Sequence, residues 1–213
     1  MPHTRRPALA SRFPVHVTLS VQKVLPNLRS SRVFRVVEQS LRLSREREDF
    51  RLVHYSVQGH QLHLIVEAHN AEALCRGIKG LSVRLAKRLN FALGRRGRVF
   101  ADRYFSRILR TPSQTKAALG YVLLNARRHD SQRRRVRDRG WVDPCSSGRF
   151  LDGWGDSNIR PRPDEPPCVA SPHGWLLSKG WRLRGLLSVN QVPGSPPVAP
   201  RRRSRCRTDT KPT

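Results

Sequence analysis

The chain has 213 residues, room for one compact domain and an extension, but only 37% are apolar, so part of it lacks a core of its own. Lys and Arg number 42 against 15 Asp and Glu, and the resulting charge of +27 points to a polyanionic partner, above all nucleic acid. Apolar runs of about four residues are far short of the roughly 20 a spanning helix needs, and "MPHTRRPALASRF" has no apolar stretch for a secretory signal; the reading is a cytoplasmic chain with no membrane partner.

In chain order, "FPVHVTLSV" alternates at period two. Phe13, Val15, Val17 and Leu19 share one face, and His16, Thr18 and Ser20 the other, as in a half-buried strand. Ser31 to Asp49 turns helical, with Val33, Phe34, Val37 and Leu41 in one stripe. "RLVHYSVQ" alternates again, placing Val53, Tyr55 and Val57 together. Gly59 and His60 form the turn into a partner strand, Gln61 to Glu67, with Leu62, Leu64 and Val66 on one side. A long helix from about Ala71 to Leu93 carries Leu74, Ile78, Leu81, Leu85, Leu89 and Leu93 on its inner face. "GRRGRVFADRYFSRILR" reads as a glycine-marked turn and a basic, aromatic-bearing strand. "TPSQ" starts a last helix, with Thr111 as N-cap, Pro112 at the first position and Gln114 closing a capping box; it runs to about His129.

This order predicts an α+β fold of the ferredoxin or RNA-recognition kind, an antiparallel sheet with helices packed on one face, plus a C-terminal extension. The expected organisation is a flexible N-terminus (1–11), a core domain (12–130), a basic and aromatic extension with short helices (131–194) and a disordered basic tail (195–213). Cys75, Cys145, Cys168 and Cys206 are scattered with no C-x-x-C pair, so neither a zinc site nor a disulfide framework is expected.

Residues two apart on a strand point the same way, so Gln61 and His63 project together from the polar face. A pair at this spacing can hold one divalent cation, although His63 alone reads first as an exposed strand histidine. On the last helix Leu119, Val122, Leu123 and Ala126 form the buried stripe, with Tyr121 far from its centre and Asn125 one turn later on Tyr121's side. Asn125 offers a carbonyl oxygen of the kind hard cations take. A partly exposed tyrosine without a role explains Tyr121 taken alone. Arg95, Arg96, Arg98, Arg103, Arg107 and Arg110 surround Phe100, Tyr104 and Phe105, a mixture suited to phosphate contact and base stacking, or else to a solvated strand with core aromatics.

"YSVQGHQLHLIVEA", "GRVFADRYFSRILRTP", "YVLLNARRH" and "WVDPCSSGRFLDGW", in this order over about residues 12–155, resemble the REP-associated tyrosine transposases, within the single-tyrosine His-hydrophobic-His superfamily. The resemblance implies cleavage of single-stranded DNA beside a hairpin through a 5′-phosphotyrosine, with Mg2+ or Mn2+ as cofactor. Carried over by position, Tyr121 is the nucleophile, His63 the second histidine of the pair and Asn125 the ligand from the helix. Gln61 stands where that pattern has its first histidine, and His60 would replace it only through a bulge. An amide oxygen still suits Mg2+, so coordination is weakened rather than lost. The competing readings are a catalytically inactive DNA-binding descendant, separated from an active enzyme by Gln61, and an RNA-binding protein, which gives no reason for Tyr121 with Asn125.

Overall fold

The computed structural model describes residues 8–156 and 167–193. Strands β1 (Val15–Ser20), β2 (Glu46–Arg47), β3 (Phe50–Val57), β4 (Gln61–Ala68) and β5 (Phe105–Ile108) form one five-stranded sheet. The order is β2-β3-β4-β1-β5, and every neighbouring pair is antiparallel. The fold class is therefore the expected α+β sheet. Its helices are α1 (Ser31–Arg42), α2 (Ala71–Ala92), α3 (Pro112–Leu123), α4 (Asn125–Gln132) and α5 (Trp175–Ser178).

Alternation decides which face each strand residue meets. Val15, Val17, Leu19, Leu62, Leu64 and Val66 face α1 and α2, whose Val33, Val37, Leu41, Leu74, Ile78, Leu81 and Leu85 complete that core. The opposite face is covered too. Val53 and Ile65 pack there against Leu119, Val122 and Leu123 of α3, then against Trp154, Leu177, Trp181 and Leu187 of the extension. Apolar residues on the second face of the central strands need such a cover; α3 supplies most of it, and the extension packs behind α3 and along β3.

Four local expectations change. The helix expected over Ser31–Asp49 stops at Arg42, because the apolar stripe ends at Leu41 and the charged residues beyond have nothing to bury; two of them become β2, where Glu46 pairs across from Arg51. Val53 does not share a face with Tyr55 and Val57, since the β3–β4 register shifts between Leu52 and His54 and the extra residue turns Val53 to the other side. The basic strand after α2 is only Phe105–Ile108; Gly94 and Gly97, with φ of 61° and 99°, belong to the loop before it. The last helix breaks at Leu124, whose φ of −108° and ψ of 13° leave the helical region. Val122 through Leu124 are all buried, and three successive residues cannot share one face of a straight helix.

The extension is tied in by specific bonds. The Val57 N–H donates to the Cys145 carbonyl at 2.9 Å, and the Tyr55 N–H to Ser147 Oγ at 2.9 Å, along the stretch of β3 that β2 leaves unpaired. Arg29 grips buried Asp143 with two 2.8 Å bonds and also donates to the Val57 carbonyl at 2.8 Å. Glu67 accepts from the His173 and Gly174 N–H groups at 2.9 and 2.8 Å. Leu9, inside the segment read as a flexible N-terminus, packs into the core, while residues 1–7, Cys206 and the tail from 195 lie outside the described residues. Among the described residues Cys75, Cys145 and Cys168 are free thiols. Among the described residues no helix is long and apolar enough to cross a membrane.

Candidate active site

Three rings converge on the sheet face under α3. His63 comes from the middle of β4, His16 from the adjacent β1 and Tyr121 from α3. Ring centroids are 5.2 Å apart for His63 and Tyr121, 5.7 Å for His16 and Tyr121, and 5.6 Å for the two histidines. Tyr121 is not held away from the core as its helical angle suggests. It is half-buried and packs against the second core, because α3 lies between the sheet and the extension and is covered on more than one side.

Cross-strand rows explain the grouping. Thr18 stands opposite His63 on β4 and Phe105 on β5; His16 stands opposite Ile65 and Arg107. Thr18 Oγ1 lies 3.2 Å from His63 Nδ1, which fixes the ring and leaves Nε2 as the atom for chemistry. Burial pushes both His16 and His63 down to about 4; Arg107 adds to the shift at His16, and His16 and His129 add to it at His63. Both rings are neutral near pH 7 and offer lone pairs. Arg107 therefore reaches the site, and Arg128, which residue pattern alone did not single out, lies 5.6 Å over the Tyr121 ring. Phe105, 67% exposed on the same face and in line with Thr18 and His63, is a free surface on the edge strand.

Asn125 is 1% exposed, and neither its Oδ1 nor its Nδ2 has a hydrogen-bond partner. His16 Nε2 is likewise buried and unpaired. Buried polar atoms are nearly always paired, so the His16 nitrogen and the Asn125 amide leave acceptors that a bound ion or water could use. Among the described residues no three His, Cys, Asp or Glu side chains gather as a metal cluster. A cation here would have to combine imidazole with amide oxygen. His63 and Asn125 carry donor atoms of those two kinds.

Gln61 shares the face of His63 but is exposed at the start of β4, opposite Ser20. It opens onto a cavity of about 440 Å3 whose walls include His129, Arg133 and Arg135. No bulge carries His60 into the site: His60 sits in the turn with Nε2 3.0 Å from the Leu25 carbonyl oxygen. The remaining basic candidates do not gather here. Arg95 and Arg98 donate to carbonyls of their own loop, Arg96 is in that loop, and Arg103 and Tyr104 line a groove on the α2 side with Cys75 and Lys79. Arg110 lies 5.8 Å over the Phe13 ring.

His16 is the site residue that sequence reasoning left out. It was visible on the polar face of its strand, but only the pairing of β1 with β4 brings it to His63.

No protein-family model matches the chain, and no curated protein matches it. Among solved structures it is similar to a candidate transposase from Deinococcus radiodurans at 18% identity, TM-score 0.38, over 50% of this chain and 85% of that one. It is also similar to a REP-associated tyrosine transposase bound to a REP hairpin, at 14% identity and TM-score 0.51, over 69% of this chain and 82% of that one. The second likeness is one of fold: the chain shares its architecture with a REP-associated tyrosine transposase.

Proposed function

We propose that the protein is a transposase-like enzyme that binds single-stranded hairpin DNA and cuts and rejoins it through Tyr121. The observation that carries this reading is the meeting of Tyr121, His63 and His16 on one sheet face; Asn125, the first residue of the next helix, adds a buried and unpaired amide. A tyrosine that merely filled space would not need two neutral imidazoles packed against it.

In this reading the Tyr121 hydroxyl attacks the scissile phosphorus. A new tyrosine O–P bond forms, the P–O3′ bond breaks, the phenolic proton passes to solvent, and the departing 3′ oxygen ends as a free hydroxyl. Attack by that hydroxyl on the phosphotyrosine reverses the step, so covalent catalysis splits one difficult transfer into two. His63 and Asn125, with the Gln61 amide at the open side, would hold Mg2+ or Mn2+, which supplies charge withdrawal from the non-bridging oxygens. Arg107 and Arg128 stand where a phosphate would pass, and Phe105 offers a face for an unpaired base. Arg133 and Arg135 extend a basic path beyond Gln61. Arg95, Arg96, Arg98, Arg103, Tyr104 and Arg110 would meet DNA farther from the reacting centre. Such a substrate puts the work of the protein in the cytoplasm.

The test is incubation with single-stranded hairpin DNA and Mn2+ or Mg2+, followed by a denaturing gel. A protein band shifted by covalent DNA is the expected result. Tight hairpin binding with no adduct in either metal would favour instead a DNA-binding descendant without activity, the reading that Gln61 keeps in play.

A further inference from the structure

We propose that the inner pair of cation ligands is His16 with His63, from neighbouring strands, with Asn125 as the third donor and Gln61 outside that pair. This rests on the reading above that the site holds a divalent ion. It changes which residues supply the nitrogen atoms.

Two observations carry it. The first is geometry. An imidazole nitrogen sits roughly 2.1 Å from a bound transition metal, which puts the ring centroid about 3.2 Å away, so two rings on one ion have centroids at most about 6.4 Å apart. The 5.6 Å between His16 and His63 falls within that limit, and corresponds to an angle of roughly 120° at the ion. The second is satisfaction. His16 Nε2 and Asn125 Oδ1 are buried acceptors with no partner, and one ion would satisfy both. Gln61 shows no such need; it is exposed at the strand start, beside the basic cavity.

The neighbouring charge adds a consequence. Arg107 stands opposite His16 across β1 and β5. A guanidinium so close opposes a bare cation and favours one that arrives with a phosphate. Mn2+ should therefore bind more tightly when hairpin DNA is present. Gln61, freed from coordination, is placed to contact the strand that leaves along the cavity.

The experiment needs no altered protein at first. Diamagnetic Zn2+ is added to histidine-labelled protein, with and without hairpin DNA, and the imidazole nitrogen resonances are followed. The ring nitrogens of His16 and His63 should both show coordination shifts while those of His54 and His60 do not. In parallel, Mn2+ affinity is read from the resonance of the free ion. Loss of a direct ligand should cost no less than loss of an outer-shell partner, so His16→Gln and His16→Ala should each weaken binding by roughly tenfold or more. Gln61→Ala should weaken it much less. A coordination shift at His63 without one at His16, a larger loss from Gln61→Ala than from His16→Gln, or no Mn2+ binding at all would overturn the proposal. The adduct assay separates its failure from that of the transposase reading. Mn2+ bound at His16 and His63 with no adduct removes the enzyme and leaves the cation site. An adduct alongside unchanged Mn2+ binding in the His16 variants removes only the His16 assignment.

Discussion

His54 shows how one enclosed side chain ties stability to pH. It is buried between β3 and the extension, with Nδ1 3.2 Å from Ser147 Oγ, and burial pushes it down to about 4. In the unfolded chain its pKa is near 6.5, so below that value the unfolded state takes up the proton first. Its contribution is therefore present above pH ~6.5 and is lost as pH falls toward 4, up to about 3 kcal/mol. Thermal melts should show the midpoint dropping across that window, with a shallower fall in His54→Gln; an unchanged slope would contradict the assignment. A second expectation concerns position 61. If the Gln61 amide holds the ion, Gln61→His, which places an imidazole on the face of His63, should raise cleavage severalfold in Mn2+ and less in Mg2+, because transition metals favour nitrogen; with His16 as the inner partner of His63 it should change cleavage little. His60→Ala should leave cleavage near the natural level, since its ring is engaged by the Leu25 carbonyl. Rates measured in both metals decide this. Loss of cleavage in His60→Ala together with no change in Gln61→His would contradict it. The period-two pattern sufficed to place Gln61 and His63 on one face. It did not suffice for His16, because strand order is set by long-range pairing and no local spacing encodes it.

Elements were legible wherever the apolar period was long. Helix α2 begins at Ala71 as read and ends at Ala92, and α3 starts with Thr111 Oγ1 accepting from the Gln114 N–H at 3.2 Å. The capping box is only half formed, since the Gln114 side chain accepts from Arg110 rather than Thr111. What stayed hidden turns on packing: the bulge at Val53 and the break at Leu124 exist because the second sheet face must be covered. Gly77 illustrates the tightness of the first core. It lies on α2 directly against the ring of buried Phe50, so any added Cβ collides with that ring. Gly77→Ala should therefore destabilise by about 1–3 kcal/mol despite its better helix propensity, which chemical denaturation would measure. A more stable Gly77→Ala protein would mean that Phe50 has room to move. At the extension, Asp143→Ala removes the partner of Arg29 and should cost about 3–5 kcal/mol. Loss of less than about 1 kcal/mol would put this pair with ordinary surface bridges.

The whole molecule combines a shared fold, a net charge of +27 and a site roofed by α3. Charge and site make different demands on DNA. The charge acts on any polyanion and should make hairpin affinity fall roughly tenfold or more between about 50 and 200 mM salt. The exposed Phe105 and the half-buried Tyr121 need unpaired bases and an accessible phosphate, so a hairpin with single-stranded flanks should bind better than a blunt duplex of equal length. Equal affinity for both across a salt titration would reduce the interaction to charge alone. The central claim, that Tyr121 is the nucleophile, is tested most directly by mapping the covalent link. Protein incubated with hairpin DNA and Mn2+ is digested with nuclease and protease, and the peptides are weighed by mass spectrometry. The account predicts a nucleotide phosphate attached to the peptide that contains Tyr121, and no adduct in Tyr121→Phe at nearly unchanged DNA affinity. An adduct on any other residue, or one that survives Tyr121→Phe, would contradict it.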